Sequence, residues 1–143
     1  MREVAVESID MKRARLEAEA MRDIRERTEW LTAEEIAGHA GLGTADPIEV
    51  VDGWKRQGRV FALRQDGQDH FPMYALDSNF HPLPVMEKIL LVLEGYEPEL
   101  LAGWFASRSR FLDGSRPLEL VKTEPERVVA AARNLVEVRR YHG

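Results

Sequence analysis

The sequence has no cysteine and no long apolar segment. Without cysteine, disulfides and thiolate metal sites are excluded. No segment is apolar over the ~18 residues that a membrane-spanning helix needs. The first residues are charged where a signal peptide has its apolar run. We therefore expect a soluble, cytoplasmic protein that makes no membrane contact.

Catalytic and cofactor-binding motifs are also missing. The sequence has no nucleophile elbow of the G-x-S-x-G type. Gly41-Leu42-Gly43 is not a phosphate-binding loop, because no Lys-Ser/Thr pair follows it. The histidines lack the spacing of metal ligands; they are His39, His70, His81 and His142. We expect neither an enzyme nor a bound metal or cofactor.

The sequence also has no concentrated basic region. The net charge is −5. Residues 32–83 hold 4 basic and 8 acidic residues, or −4, and residues 84–143 hold 9 of each. A patch of cations is what supplies most non-specific affinity for DNA. Any DNA contact must therefore come from a few individual side chains.

The N-terminal residues are charged, and residues 3–29 contain neither glycine nor proline, which favours a long helix. Its apolar positions are too few for a wide stripe and form one narrow seam. That seam comprises Ile9, Leu16, Ala20, Met21 and Ile24. Two interpretations stay open: the seam packs on the body of its own chain, or it pairs two chains in a homodimer.

The next region predicts a helix-turn-helix. Thr32 and Glu35 have the spacing of a capping box, which opens a short helix. Gly41 can end that helix in the left-handed conformation. Asp46-Pro47 then begins a second helix, which runs to Gln57. Two short helices joined by a tight glycine turn are typical of this motif.

A β-hairpin is predicted after the second helix. Residues 60–64 and 69–74 have strand-like patterns, and Asp66-Gly67 lies at the turn between them. Pro72 cannot donate to a ladder, so the second strand is an edge strand or ends there. Helix-turn-helix followed by a hairpin predicts a winged helix. The candidate DNA-binding residues are Lys55, Arg56, Gln57, Arg59 and Arg64.

The second helix of the helix-turn-helix also carries Glu49 and Asp52, whose negative charge lowers affinity near phosphates.

The C-terminal half is predicted to be helical over residues 85–93, 97–107 and 125–141. Residues 78–84 are a polar, proline-bearing joint. We expect a mainly α fold with a small β-hairpin, divided into an N-terminal helix at 1–29, a winged-helix-like part at 30–80 and a helical part at 84–143.

The stretch after residue 100 carries a family resemblance. The pattern consists of Trp104-Phe105, Phe111-Leu112, Gly114, Arg116-Pro117-Leu118 and Leu120, followed by Glu126-Arg127-Val128 and Ala131-Ala132. Over roughly residues 84–141 it resembles the Xre/MbcA/ParS toxin-binding domain of antitoxins. We expect Trp104, Phe105, Phe111, Leu112, Gly114, Pro117, Leu118 and Leu120 to form the structural core of this motif. In particular, we expect Trp104 to be largely buried, with Phe111 and Leu118 against it.

The resemblance implies an antitoxin that neutralises a RES-type toxin and represses its own operon. NAD would then be the substrate of the toxin and no cofactor of this chain. The family meets its toxin partly through the final helix, which implies toxin-binding residues Arg133, Glu137, Arg139, Arg140, Tyr141 and His142. The N-terminal half departs from the family, whose usual DNA-binding part there is all-helical. The alternative function is a free-standing winged-helix regulator that binds operator DNA and self-associates.

Overall fold

The computed structural model describes residues 8–142, apart from the side chain of His142. Residues 3–7 of the predicted N-terminal helix lie outside the described residues. The helices are α1 (Ile9–Glu26), α2 (Ala33–Ala40), α3 (Pro47–Arg56), α4 (Pro84–Val92), α5 (Pro98–Ala106), α6 (Pro117–Leu120) and α7 (Pro125–His142). The strands are β1 (Trp30–Thr32), β2 (Leu63–Gln65) and β3 (Gln68–Pro72). The prediction of a mainly α fold with a small β part is confirmed.

Local sequence signals fix the helix-turn-helix. The Thr32 hydroxyl accepts a hydrogen bond from the Glu35 amide at 3.2 Å, while the Glu35 carboxylate accepts one from the Thr32 amide at 2.9 Å. The Thr32 hydroxyl also donates to the same carboxylate at 3.1 Å, and the two donations, from the Thr32 amide and hydroxyl, lower the pKa of Glu35. Gly41 ends α2 in the left-handed region, with φ of 60°. Asp46 caps α3, and Pro47 occupies its first turn. All these predictions are confirmed.

The hairpin belongs to a three-stranded antiparallel sheet in the order β1-β3-β2. Asp66 and Gly67 form its two-residue turn with φ values of 52° and 78°, the left-handed pair that matches the twist of such hairpins. The predicted edge position of the second strand is wrong, because β1 pairs with the far side of β3. The alternative is confirmed, since β3 ends at Pro72. The chain then turns through one 3-10 turn, Met73–Ala75, where the sequence suggested further strand.

An aromatic cluster joins the winged-helix-like part to the C-terminal helices. The ring centroids of Phe61 and Phe105 lie 5.8 Å apart, and those of Tyr74 and Phe105 lie 4.9 Å apart. Trp30 packs edge-on against both Phe61 and Tyr74. Burial raises the pKa of the Tyr74 hydroxyl well above its usual value, so the hydroxyl stays protonated. One hydrophobic core therefore runs from Leu31 to Ala132.

That core is continuous across the joint predicted at residues 78–84. Leu76 and Pro82 form an isolated antiparallel bridge and are both buried. The division of the chain into three parts stays a prediction. The buried residues before and after the joint belong to one hydrophobic cluster. None of the helices within residues 8–142 is long and apolar enough to cross a membrane.

The predicted core of the resemblance motif is correct in part. Phe105, Leu112 and Pro117 are buried. Trp104 is only partly buried and packs edge-to-face on Phe105, at 4.9 Å between centroids. Leu118 and Leu120 are partly buried as well.

The prediction for Phe111 is wrong, because its side chain is 48% exposed. Arg110–Leu112 is a single 3-10 turn, in which successive side chains point about 120° apart. Leu112, at 1% exposure, takes the inward position, so Phe111 beside it faces solvent.

Candidate nucleic-acid interface

A groove of about 480 Å³ lies between the helix-turn-helix and the hairpin. We call it the HTH–wing groove. Its lining comes from three elements: the start of α2, the outer face of α3 and the β2–β3 hairpin. The lining residues are Thr32, Ala33, Glu34, Ile48, Asp52, Lys55, Arg56, Arg64, Gln68 and Asp69.

The outer face of α3 is available because the opposite face is fixed in the core. Val51 is fully buried and Trp54 is 5% exposed. Ile48, Lys55 and Arg56 lie on the exposed side. Ile48 keeps 42% exposure, an apolar side chain in the first turn of the helix that nothing on its own chain covers fully. This face can therefore meet a partner without any rearrangement of the core.

The hairpin extends the groove with a pair of opposite charges. Arg64 and Asp69 are direct partners across the β2–β3 ladder. Asp69 accepts hydrogen bonds from Lys55 Nζ at 2.7 Å and from Arg64 Nη1 at 3.1 Å, and so links α3 to the hairpin. Partial burial alone would raise the pKa of Asp69, but these two cations outweigh it and lower the pKa.

Arg56 has its own acidic partner at the start of the same helix. Its Nη2 lies 2.6 Å from Glu49 Oε1, and both side chains are more than half exposed. The lining of the groove thus holds three cations and three carboxylates: Lys55, Arg56 and Arg64 against Glu34, Asp52 and Asp69. The groove is electrically neutral overall.

The structure brings together three of the five predicted DNA-binding residues. Lys55, Arg56 and Arg64 line the groove. Gln57 caps the C-terminus of α3 and does not line the groove. Arg59 also lies outside it, with its guanidinium 5.9 Å from the centroid of the Trp54 ring, so this side chain is held against the core. Both residues therefore lie outside the groove, and their assignment to DNA stays a prediction.

Sequence reasoning missed the contribution of Asp69, Gln68 and Thr32 to the groove. A signal for Asp69 was present, because the Asp66-Gly67 turn fixes the register that sets Arg64 opposite Asp69. The Thr32 capping box likewise marks where α2 begins. The sequence did not indicate that the hairpin and the start of α2 lie on the same side of α3.

The residues predicted to bind a toxin lie on the C-terminal part of α7. Arg133, Glu137, Arg139 and Arg140 are exposed, and Tyr141 reaches 85% exposure. The guanidinium of Arg139 lies 5.3 Å from the centroid of the Tyr96 ring, which connects this helix to the loop before α5. Among residues 8–142, no three His, Asp or Glu side chains converge where a metal ion could bind.

Comparison with known proteins gives one similarity in fold. No protein-family model matches the sequence, and no curated protein sequence matches it. A solved structure described as the NMR structure of Rv2175c superposes with a TM-score of 0.64 at 20% sequence identity. The similarity covers 76% of this chain and 81% of that one. At this sequence identity the similarity shows the fold alone. The shared fold is mainly helical with a small antiparallel sheet, which is consistent with a winged-helix-like domain.

Proposed function

We propose that the protein binds double-stranded DNA through the HTH–wing groove. The observation that supports this most is the arrangement of α3 and the β2–β3 hairpin. The exposed face of one helix and the adjoining hairpin line a single groove, and every cation in its lining is on these two elements. A helix of this kind enters the major groove, while a hairpin beside it reaches the neighbouring backbone or minor groove.

The exposed residues of α3 are better suited to contact base edges than to make purely electrostatic contacts with phosphates. Ile48 offers an apolar surface of the sort that contacts a thymine methyl group. Arg56, two turns further along, offers a fork that can bind guanine bidentately. Because the groove is neutral, few phosphates can be neutralised, so specificity must come from such contacts.

Arg56 and Arg64 are within reach of DNA because their own side chains are exposed, whereas Asp69, which pairs with both Lys55 and Arg64, is only 16% exposed. Arg56 and Glu49 are 61% and 58% exposed, and Arg64 is 69% exposed. The exposed Arg56–Glu49 pair contributes only about 0–1 kcal/mol, so exchanging the Glu49 carboxylate for a group of the DNA costs little. With Arg56 at a base edge, Lys55 and Arg64 are left to contact phosphates, so log K should fall with log salt at a slope of about −1.8.

The test begins with selection of binding sites from random-sequence duplexes, followed by fluorescence anisotropy on the enriched sequence. We expect Arg56→Glu together with Arg64→Glu to weaken binding at least tenfold, about 1.4 kcal/mol. The matched control is Arg110→Glu together with Arg140→Glu, which changes the net charge equally but alters exposed arginines outside the groove. If no sequence is enriched and the groove variant binds like the control variant, the groove is not a DNA-binding site.

Asp69→Asn provides a test in the opposite direction. It removes the carboxylate that holds Lys55 and Arg64, so we expect tighter binding and a salt slope steeper by up to about 1. A loss of affinity would mean that Asp69 orients these cations for DNA rather than competing with it. We propose a cytoplasmic location for the protein and operator DNA upstream of its own gene as its target.

We propose toxin neutralisation as a second candidate function. It rests on the resemblance of residues 84–141 to the toxin-binding domain and on the exposed end of α7, where Tyr141 is 85% exposed. Arginine and tyrosine are enriched among residues that dominate binding energy. The partner would be a RES-type toxin, and NAD its substrate.

Truncation after Val138 tests this second candidate by co-expression with the product of the adjacent gene. We expect neutralisation to weaken tenfold or more, about 1.4 kcal/mol of binding. DNA binding and the melting temperature of the truncated chain serve as controls and should not change. If the adjacent gene encodes no toxin, or if the truncated chain protects cells as well as the full chain, the end of α7 is not a toxin-binding site.

A further inference from the structure

Asp52 lies at the centre of the outer face of α3. A helix turns by about 100° per residue, and five side chains follow one another around about 120° of this face. In that order they are Lys55, Ile48, Asp52, Arg56 and Glu49. The other four are exposed, whereas Asp52 is only partly exposed and lines the HTH–wing groove. Its carboxylate is therefore set back in the middle of the surface that would face DNA.

The Asp52 carboxylate has no hydrogen-bonding or ion-pair partner in the part of the chain that the structure describes. Lys55 and Arg56 follow it by three and four residues, the spacing at which charges on a helix can pair. Both cations bond elsewhere: Lys55 Nζ lies 2.7 Å from Asp69, and Arg56 Nη2 lies 2.6 Å from Glu49. Asp52 thus keeps its full capacity to accept hydrogen bonds for a ligand in the groove.

The chemistry of the carboxylate restricts which base it can face in the major groove. An ionised carboxylate accepts hydrogen bonds and donates none. Cytosine presents there an amino group, N4, which is a donor. Adenine sets its N6 donor beside the N7 acceptor, guanine presents two acceptors, and thymine presents an acceptor and a methyl group. A carboxylate therefore fits cytosine best and is repelled by the acceptors of guanine and thymine.

We propose that Asp52 is a specificity-determining residue that selects cytosine at the middle of the site contacted by α3. This role rests on the DNA binding proposed above and adds the base at one position. Ile48 and Arg56 lie four residues before and after Asp52, about 6 Å along the helix axis, which is close to two base-pair steps of about 3.4 Å. With α3 along the major groove, the thymine at Ile48 and the guanine at Arg56 lie about two base pairs to either side of the cytosine.

Repulsion of phosphates is the alternative role for the same carboxylate, and the two roles give different results. A carboxylate that only repels the backbone lowers affinity for every sequence alike, because phosphates carry no sequence information. A carboxylate that accepts from cytosine N4 favours one base at one position. Base preference therefore distinguishes the two roles, and affinity for a single duplex does not.

Selection from random-sequence duplexes, carried out with the full chain and with variants of Asp52, tests this role. The unmodified chain should enrich cytosine at one position, and any other base pair there should weaken binding at least fivefold in fluorescence anisotropy. Asp52→Ala should reduce that preference to within about twofold. Asp52→Asn should move it to adenine, because the amide of asparagine can bind adenine bidentately.

Glu34→Gln is the matched control. It neutralises another carboxylate of the groove lining, but one that lies on α2 and not on α3. We expect this variant to keep the preference for cytosine. Circular dichroism of the Asp52 variants should match that of the unmodified chain, because Asp52 has no protein partner to lose.

The possible results separate the role of Asp52 from the proposed function itself. If the unmodified chain enriches no sequence, DNA binding through the groove fails, and the role of Asp52 fails with it. If a sequence is enriched but Asp52→Ala binds all duplexes more tightly with the same base preferences, DNA binding stands and the role of Asp52 is overturned. A cytosine preference that Glu34→Gln abolishes as completely as Asp52→Ala also overturns it, because the preference would then depend on the net charge of the groove.

Discussion

The helices α1 and α7 have the same length, 18 residues, and are held in opposite ways. α1 has no buried residue. α7 buries Val128, Val129, Ala131 and Ala132, and packs against α4 and α6. Length and helix-forming composition therefore do not decide whether a helix joins the core. The decisive difference is the density of apolar residues. α7 places small or branched apolar residues on consecutive turns of one face, whereas the first half of the α1 seam carries only Ile9 and Leu16, two turns apart.

The largest expected difference in stability is between two alanine-to-aspartate substitutions, one in each helix. Ala132→Asp sets a carboxylate at a fully buried position without a partner, and we expect it to cost about 3–5 kcal/mol. Ala20→Asp, on exposed α1, should cost only about 0.5 kcal/mol through helix propensity. Urea unfolding measures both losses. Equal losses at the two positions would mean that α1 is packed as firmly as α7.

A second pair of substitutions extends the comparison to α5 and the turn after it. Phe105→Ala removes a fully buried ring that contacts Phe61 and Tyr74, and we expect a loss of about 3–5 kcal/mol. Phe111→Ala removes a ring that is half exposed and should cost less than about 1 kcal/mol. Thermal unfolding followed by circular dichroism distinguishes them. A large loss for Phe111→Ala would support the packing that the sequence suggested.

Helix caps provide a smaller contrast. Thr32→Ala removes the capping box of α2, a helix whose residues Ile36 and Ala37 are buried, and should cost about 1 kcal/mol of global stability. Ser8→Ala removes the cap of α1, where Ser8 accepts a hydrogen bond from the Met11 amide at 3.0 Å. We expect this change to reduce helix content in the first turns of α1 without shifting the urea midpoint. Hydrogen exchange at those amides is the measurement.

The smallest expected effect is a pH dependence at α2. Hydrogen bonds from Thr32 lower the pKa of Glu35 in the folded chain. Its contribution is therefore present above the ordinary glutamate pKa of about 4.3 and is lost as the pH falls through the folded value. Glu35→Gln should lose less stability than the unmodified chain when the pH is lowered from about 5 to about 3. Ser8 in α1 has no such carboxylate partner, so Ser8→Ala should follow the pH profile of the unmodified chain.

The accuracy of the sequence-based predictions follows the range of the interactions involved. Thr32, Gly41 and Asp66-Gly67 act within a few residues, and the helix ends and the turn that they set were predicted closely. The first hairpin strand was predicted at residues 60–64, whereas β2 is Leu63–Gln65 and residues 60–62 are not in a strand. β1 was missed because three residues hold no periodicity and its partner, β3, lies about forty residues further along. In the candidate site, Lys55, Arg56 and Arg64 were predicted from charge on α3 and the hairpin.

Other features of the site depend on contacts between elements that the sequence does not specify. Arg59 was assigned to DNA because it is a cation beside α3, yet it packs over Trp54 in the structure. Phe111 was assigned to the core because it is aromatic, yet the 3-10 turn gives the inward position to Leu112. The neutralisation of the groove by Asp69 also depends on how the hairpin lies against α3.

The packing of Phe61 and Tyr74 on Phe105 has a consequence for the order of events during synthesis. The helix-turn-helix and its hairpin are translated first, but Phe105 follows Phe61 by 44 residues. At a translation rate of about 5–20 residues per second, several seconds pass in which these two rings have Trp30 and each other as partners but not Phe105. The buried residues of α7, Val128 to Ala132, come later still. On the ribosome, Phe61 and Tyr74 therefore keep one face of their aromatic cluster open until Phe105 has emerged, and this face is the surface that a chaperone specific for aromatic segments could recognise.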